Sequence, residues 1–373
     1  MSESQSKNIL TELLASAGIT INGSNPWDIT IHDPRFYSRV LNQPHLGLGE
    51  GYMDGWWDCP AIDQFLTRVF IAKLDKKVLG NWRIKWHIIR SQFINLQSLT
   101  RAYQVGEQHY DLGNDLYRTM LDKRLNYTCA YWKDSQNLND AQEAKLDLVC
   151  RKVGLKPGMK VLELGCGWGS FAKYAAEKFG VSVLGVTVSK EQVALGSELC
   201  KGLPVEIRLQ DYREVEGKFD RVISIGVMEH VGYKNYQTYM QVTDRCLIED
   251  GLGFVHTIGG NISSTLADQF THKYIFPNGM LPSIKQLGAA MEGIFVMEDW
   301  HNIGPHYDPT LMAWQANFEA GWPELKKNYS ERFHRMWNFY LLSSAAAFRS
   351  RSQQLWQIVF TRTGTPQPDC RMV

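Results

Sequence analysis

Val161-Leu162-Glu163-Leu164-Gly165-Cys166-Gly167-Trp168-Gly169 decides the fold. Its first residues read as a buried strand, glycines follow at every second position, and Ser170 to Phe179 then continues at helical spacing. A strand, a glycine bend and a helix in that order form the entrance to a nucleoside-binding α/β domain, whose ligand lies across the carboxyl edge of the sheet. Nicotinamide and flavin folds use G-x-G-x-x-G to seat a pyrophosphate at a helix N-terminus. Here the third glycine comes one residue early, and Glu163 stands just before the bend, where it repels a pyrophosphate and attracts a cation. S-adenosylmethionine, with a sulfonium, an amino group and no phosphate, suits that arrangement.

Downstream, strands and helices alternate. Lys160 to Leu164, Val181 to Val186, Val205 to Leu209, Phe219 to Ile225 and Leu252 to Thr257 are predicted strands, with helices such as Ser170 to Phe179 and Lys190 to Leu199 between them. The alternation calls for a parallel sheet covered on both faces with right-handed crossovers. Phe295 to Trp300 and Leu355 to Thr361 complete it, and the insert Gly259 to Leu281, rich in aromatic and polar residues, is a candidate roof for the pocket. The predicted class is α/β: a Rossmann-like methyltransferase domain with a mostly parallel seven-stranded sheet, plus a small N-terminal α+β domain. The boundaries expected are 1–94 for an N-terminal lipid- or membrane-associated domain, 95–115 for a linker and 116–373 for the catalytic domain.

In the N-terminal part, Asn8 to Ala17 has helical spacing, Ile19 to Ile21 and Ile29 to Ile31 read as short strands, and a helix follows Pro34. Gly47, Gly49, Gly51 and Gly55 suggest a glycine-rich turn before Trp56-Trp57 and a helix over Ile62 to Ala72. Lys73 to Arg101 changes character, interleaving Lys73, Lys76, Lys77, Arg83, Lys85 and Arg90 with Trp82, Trp86, Ile88 and Phe93. Such a stretch fits an interfacial helix on anionic headgroups, or equally an amphipathic helix packed between domains with a wet basic face.

Lys plus Arg number 40 and Asp plus Glu 39, so the chain as a whole has no field that would recruit nucleic acid. Seven scattered cysteines without a C-x-x-C pair argue for reduced thiols and against a disulfide frame or structural zinc, and no metal site is expected. The polar N-terminus lacks the apolar core of a secretory signal, and no stretch reaches the roughly 20 apolar residues that cross a bilayer. The expectation is a soluble protein, or one that sits on a membrane without spanning it.

The second strand ends without the acid that usually meets ribose hydroxyls, leaving Thr187 and Gln192 to hydrogen-bond there. Gln210 and Asp211 follow the third strand and can meet the adenine edge with Tyr212 alongside, although an aspartate there also serves as a turn cap. Glu229 and His230 emerge together after the fourth strand. Because neighbours on an extended strand point opposite ways, one of them is expected in the pocket, Glu229 by preference, with His230 as a satisfied structural histidine. His256 ends the fifth strand at the same sheet edge, either packed or functional. Asn126 to Trp132 brings a phenol, a hydroxyl and a thiol together, as a lid over a donor carboxylate or as a hydrophobic cover.

Tyr127 to Trp132, Leu162 to Gly169, Gly226-Val227-Met228-Glu229-His230-Val231-Gly232, Tyr274 to Gly279 and Leu355 to Phe360, in this order, resemble the bacterial cyclopropane-fatty-acyl-phospholipid synthases. Leu48 to Trp57 extends the resemblance into the first domain, where the shorter mycolic acid cyclopropane synthases have no counterpart. The resemblance implies transfer of a methylene from S-adenosylmethionine to a cis double bond of an unsaturated phospholipid acyl chain, with a bound bicarbonate ion as the base. It assigns Cys129, Glu229, His256, Tyr307 and the main chain of Ile258 to bicarbonate. It assigns Tyr127, Thr128, Glu163, Gly165, Gly167, Trp168, Thr187, Gln192, Gln210 and Asp211 to the donor. A second cysteine of some relatives aligns with Ser344, so a covalent thiol role at that place is in doubt. The resemblance further implies the cytoplasmic face of the cell membrane, anionic lipid surfaces and a homodimer as setting and partners. Alternatives are methylation of the same alkene without ring closure, methylation of an amine, a lipid-surface binding protein with a vestigial donor site, and, more distantly, a nicotinamide enzyme.

Overall fold

The computed structural model describes residues 2–74 and 113–372. These fall into two compact units. One contains 2–74 together with Leu266–Pro277 and Tyr307–Gln353, and the other contains 113–265, Asn278–His306 and Gln354 onward.

The second unit is built on a seven-stranded sheet of order β5-β4-β3-β6-β7-β9-β8. Its strands are β3 (Lys160–Leu164), β4 (Ser182–Thr187), β5 (Val205–Leu209), β6 (Phe219–Ile225), β7 (Leu247–Gly260), β8 (Val296–Asn302) and β9 (Gln353–Thr361). β4 and β6 flank β3 in parallel, β5 continues parallel beyond β4, β7 lies parallel beside β6, and β8 runs antiparallel to β9. Alternation along β3 feeds two cores. Val161 joins Val183, Ile223 and Phe254 under the helices Leu138–Lys152 and Ser170–Phe179, whereas Leu162 and Leu164 join Val222 and Val255 under Tyr236–Cys246 and Ile284–Met291. The chain order reverses at β3, so the carboxyl ends of β3 and β6 border the crevice in which such sheets bind ligands.

The first unit pairs β1 (Thr30–Ile31) with β2 (Trp57–Asp58) and packs the helix Ile62–Ile71 on the long helix Glu331–Arg349, which also packs on Tyr307–Leu325. Three expectations change here. The glycine-rich stretch expected to turn is instead the helix Pro44–Met53. A Cβ at Gly49 would lie 2.3 Å from the Phe270 ring, so glycine there permits close contact with the helix Gln269–Tyr274. Secondly, Ile19 to Ile21 contributes only an isolated bridge between Ile21 and Ile29. Thirdly, Leu266–Pro277, the middle of the expected pocket roof, and the two long helices cluster with the N-terminal residues and not with the sheet. The N-terminal residues bury Leu10, Leu14, Ile29, Phe36, Trp57 and Phe65, and the long helix Glu331–Arg349 extends that apolar core, with Phe339 against Tyr52 and Trp57. The basic and aromatic run Lys73 to Arg101 and the expected linker lie, but for their first and last residues, outside the described residues. Among the described residues no helix is long and apolar enough to cross a membrane.

Candidate active site

Where β3 ends, Gly165 and Gly167 take left-handed conformations at φ +72° and +55°. They differ in what a side chain would meet: a Cβ on Gly165 would lie 2.3 Å from Val227 Cγ2, whereas one on Gly167 would meet nothing within 4 Å. Gly167 opens on a cavity of about 200 Å³ whose lining includes Tyr127, Thr128, Glu163, Gly165, Gly167, Trp168, Thr187, Gln192, Gln210 and Asp211. All ten residues assigned to the donor by resemblance thus border one space. Asn126, Lys145, Tyr212 and His230 border it as well.

Glu163 gives this cavity its charge preference. It is 3 % exposed, and its Oε2 has no hydrogen-bond partner among the described residues. Burial raises the carboxyl to about 8, with the Lys145 ammonium opposing the rise. A carboxylate in that position is stabilised by an arriving cation. Across the cavity Thr187 Oγ1 donates to Gln192 Oε1 at 2.6 Å, and Ser189 caps the helix Lys190–Leu199 that carries Gln192. Asp211 does cap a turn: Oδ1 accepts the Arg213 N–H at 2.9 Å and the Arg213 guanidinium clasps both oxygens. Gln210 Nε2 donates to the Glu214 carbonyl at 2.9 Å.

A second polar group sits on the neighbouring strands. β6 stops at Ile225, and Met228–Val231 forms a short helix instead of the extended segment expected. The two side chains still diverge, but His230 is the one that borders the donor cavity; Glu229 is absent from its lining and turns to β7. There Glu229 Oε1 accepts the Ile258 N–H at 2.5 Å while Oε2 has no partner among the described residues. Burial raises Glu229 to about 7, and the Ile258 N–H pulls it back. His256, paired across the sheet with Ile225, is 1 % exposed and held neutral by burial. Its Nδ1 lies 3.4 Å from Gln357 Nε2, and its Nε2 is unpartnered among the described residues. Cys129 is fully buried beside Thr128, whose methyl approaches Gly226. Tyr307 and Ser344 belong to the first unit. Tyr307 is buried against Phe348, with ring centroids 4.5 Å apart, and Ser344 lies within the helix Glu331–Arg349.

The sequence does not single out Lys145 or Gln357, and the expectation for His230 placed it outside the cavity. The signal for Lys145 was present: it falls on the buried side of the helix Leu138–Lys152, in phase with Ala141, Leu148 and Val149.

The chain matches the family model for mycolic acid cyclopropane synthetase over residues 97–358. It is 52 % identical over 354 residues to the cyclopropane-fatty-acyl-phospholipid synthase of Escherichia coli K12, covering 95 % of this chain and 93 % of that protein. It is 31 % identical to the tuberculostearic acid methyltransferase UfaA1 of Mycobacterium tuberculosis, covering 95 % and 88 %. Among solved structures, mycolic acid cyclopropane synthase CmaA1 complexed with SAH and CTAB superposes with a TM-score of 0.66 at 31 % identity, covering 70 % of this chain and 98 % of that one.

Proposed function

From a chain that belongs to the mycolic acid cyclopropane synthetase family, we propose an S-adenosylmethionine-dependent synthase that adds a methylene across the cis double bond of unsaturated acyl chains in membrane phospholipids. The observation that carries the donor assignment is the cavity at the glycine bend, with the partnerless Glu163 oxygen in its wall. The phospholipid assignment draws on the relative that is 52 % identical over 95 % of the chain.

An alkene is a weak nucleophile, so the protein's work is to hold the donor methyl in line with it and to keep water from the carbocation that methyl transfer leaves. Gly165 lets the bend pack on Val227, Gly167 lets the donor approach the backbone, Glu163 attracts its cationic end, and Thr187, Gln192, Gln210 and Asp211 offer polar groups to the nucleoside. Ring closure then needs loss of a proton from the new methyl group.

Cys129, Glu229, His256, the Ile258 main chain and Tyr307 are the residues assigned to bicarbonate, which would supply the base. Two buried atoms without a partner among the described residues, Glu229 Oε2 and His256 Nε2, support an oxyanion beside them. A Glu229 carboxyl raised to about 7 is readily protonated and then donates from Oε2. His256 is neutral, and with the Gln357 amide nitrogen donating to Nδ1 its own proton sits on Nε2, free to donate to the ion. The reading also includes peripheral attachment at the cytoplasmic face of an anionic membrane, which the basic and aromatic sequence from Lys73 to Arg101 supports, and a homodimer.

Purified protein incubated with S-adenosylmethionine and vesicles of unsaturated phosphatidylglycerol should yield ring-containing acyl chains, read by mass spectrometry of the lipid. Methyl-branched chains as the sole product would favour the second reading, alkene methylation without closure, for which the 31 % identical methyltransferase speaks.

A further inference from the structure

The reaction as described makes no use of Lys145. This lysine is 1 % exposed, borders the donor cavity, and donates to Asn126 Oδ1 at 2.9 Å and Thr128 Oγ1 at 3.0 Å. Burying an ammonium is costly unless it is paired, and neither acceptor is charged. The helix Leu138–Lys152 grips the same segment twice more: Gln142 Nε2 donates to the Thr128 carbonyl at 2.8 Å, and the Tyr131 N–H to the Ala141 carbonyl at 2.9 Å. Both sides of Cys129 are therefore tied to one rigid helix, and of these anchors Lys145 carries charge. The titratable groups within its field are Asp122, Cys129, Glu163 on β3 and His256 on β7.

We propose that Lys145 is a positioning residue for methyl transfer: its ammonium fixes Thr128, and with it Cys129, against the donor cavity, and its charge favours ionisation of Glu163 when a cationic donor arrives. This rests on the donor reading given above. Burial brings Lys145 down to about 8 and Glu163 up to about 8, with the lysine's charge opposing the rise at Glu163. Without that charge, Glu163 keeps its proton to higher pH and the donor loses its counter-ion.

The test is titration calorimetry of S-adenosylmethionine binding across about pH 6 to 10, where both groups titrate. It compares the wild type with the neutral variants Lys145→Met and Lys145→Gln and the charged control Lys145→Arg. Affinity should weaken as pH falls through a midpoint; the neutral variants should move that midpoint upward by about one pH unit, the effect of an adjacent opposite charge, and Lys145→Arg, charged across the whole range, should leave it at or below the wild-type value. The donor's own amino group titrates in every sample and cancels. A midpoint does not depend on how much protein is folded, and either neutral variant alone decides the matter. At saturating donor the neutral variants should also lose turnover by about tenfold or more, as expected when positioning near the reacting atoms loosens. A neutral variant that titrates with the wild type, or an arginine variant shifted like methionine, overturns the proposal. Failure of the wild type to bind the donor would instead sink the donor reading itself.

Discussion

Replacing Glu163 by Gln keeps the shape of the cavity wall and removes its charge. A hydrogen bond donated by a cationic ligand to a carboxylate contributes about 1.5–3 kcal/mol. The fully ionised site should therefore bind S-adenosylmethionine about 10- to 150-fold more tightly than the variant. With the carboxyl raised to about 8, ionising it at pH 7 costs about 1.4 kcal/mol, which reduces that advantage about tenfold. The ratio of the two dissociation constants should consequently be about 1- to 15-fold at pH 7 and grow about tenfold toward pH 9. Stability moves the other way. The folded protein holds a proton that the unfolded chain releases between the ordinary carboxyl value of 4.5 and about 8, so the wild type loses stability as pH rises through that window. The Gln variant does not titrate there and should melt higher than the wild type at about pH 9 and nearly level with it at about pH 4. Calorimetric titration and thermal melts at the two extremes read both effects. An affinity ratio that does not change with pH would refute the assignment of Glu163 as the donor's counter-ion.

Glu229→Ala and His256→Ala should each cut kcat by about 100-fold or more, the scale of lost acid–base chemistry, while changing donor affinity by less than about threefold; parallel losses in both would place them in the donor cavity. Gly165→Ala and Gly167→Ala share a left-handed backbone but not a neighbourhood. The first should cost about 1–3 kcal/mol of stability because its methyl meets Val227, whereas the second should weaken donor binding more than it lowers Tm, since its methyl projects into open space beside the donor. Lys152 Nζ meets Asp299 Oδ2 at 2.5 Å with both side chains buried. Lys152→Met alone should cost about 3–5 kcal/mol in denaturant unfolding, and adding Asp299→Leu should restore most of it; a double variant as unstable as the single would show that the pair's charge is not the issue.

The parts of this protein that were legible in its sequence are those dictated by local pattern. β3, the glycine bend and the helix Ser170–Phe179 follow from an apolar run, left-handed glycines and helical spacing within twenty residues, and that run also places Glu163. What escaped depends on distant partners. Gly49 reads as a turn residue until Phe270, more than two hundred residues away, occupies the space a side chain would need. The outward turn of Glu229 and the inward turn of His230 followed from a four-residue helix that no periodicity announces. Likewise, the two long helices after Tyr307 carry apolar faces that reveal amphipathicity but not their partner. They pack with the N-terminal residues, partners far away in sequence that no local pattern identifies. Lys145 is hidden for a different reason: lysines on helices are usually solvated, and only the phase of Ala141, Leu148 and Val149 puts it on the buried face.

Methyl-deuterated S-adenosylmethionine with unsaturated phospholipid vesicles tests the central claim most directly. Cyclopropanation predicts product acyl chains that retain two of the three methyl deuteriums and no longer contain the double bond. Chains that retain all three deuteriums as a methyl branch, or donor that binds and is never consumed, would contradict it.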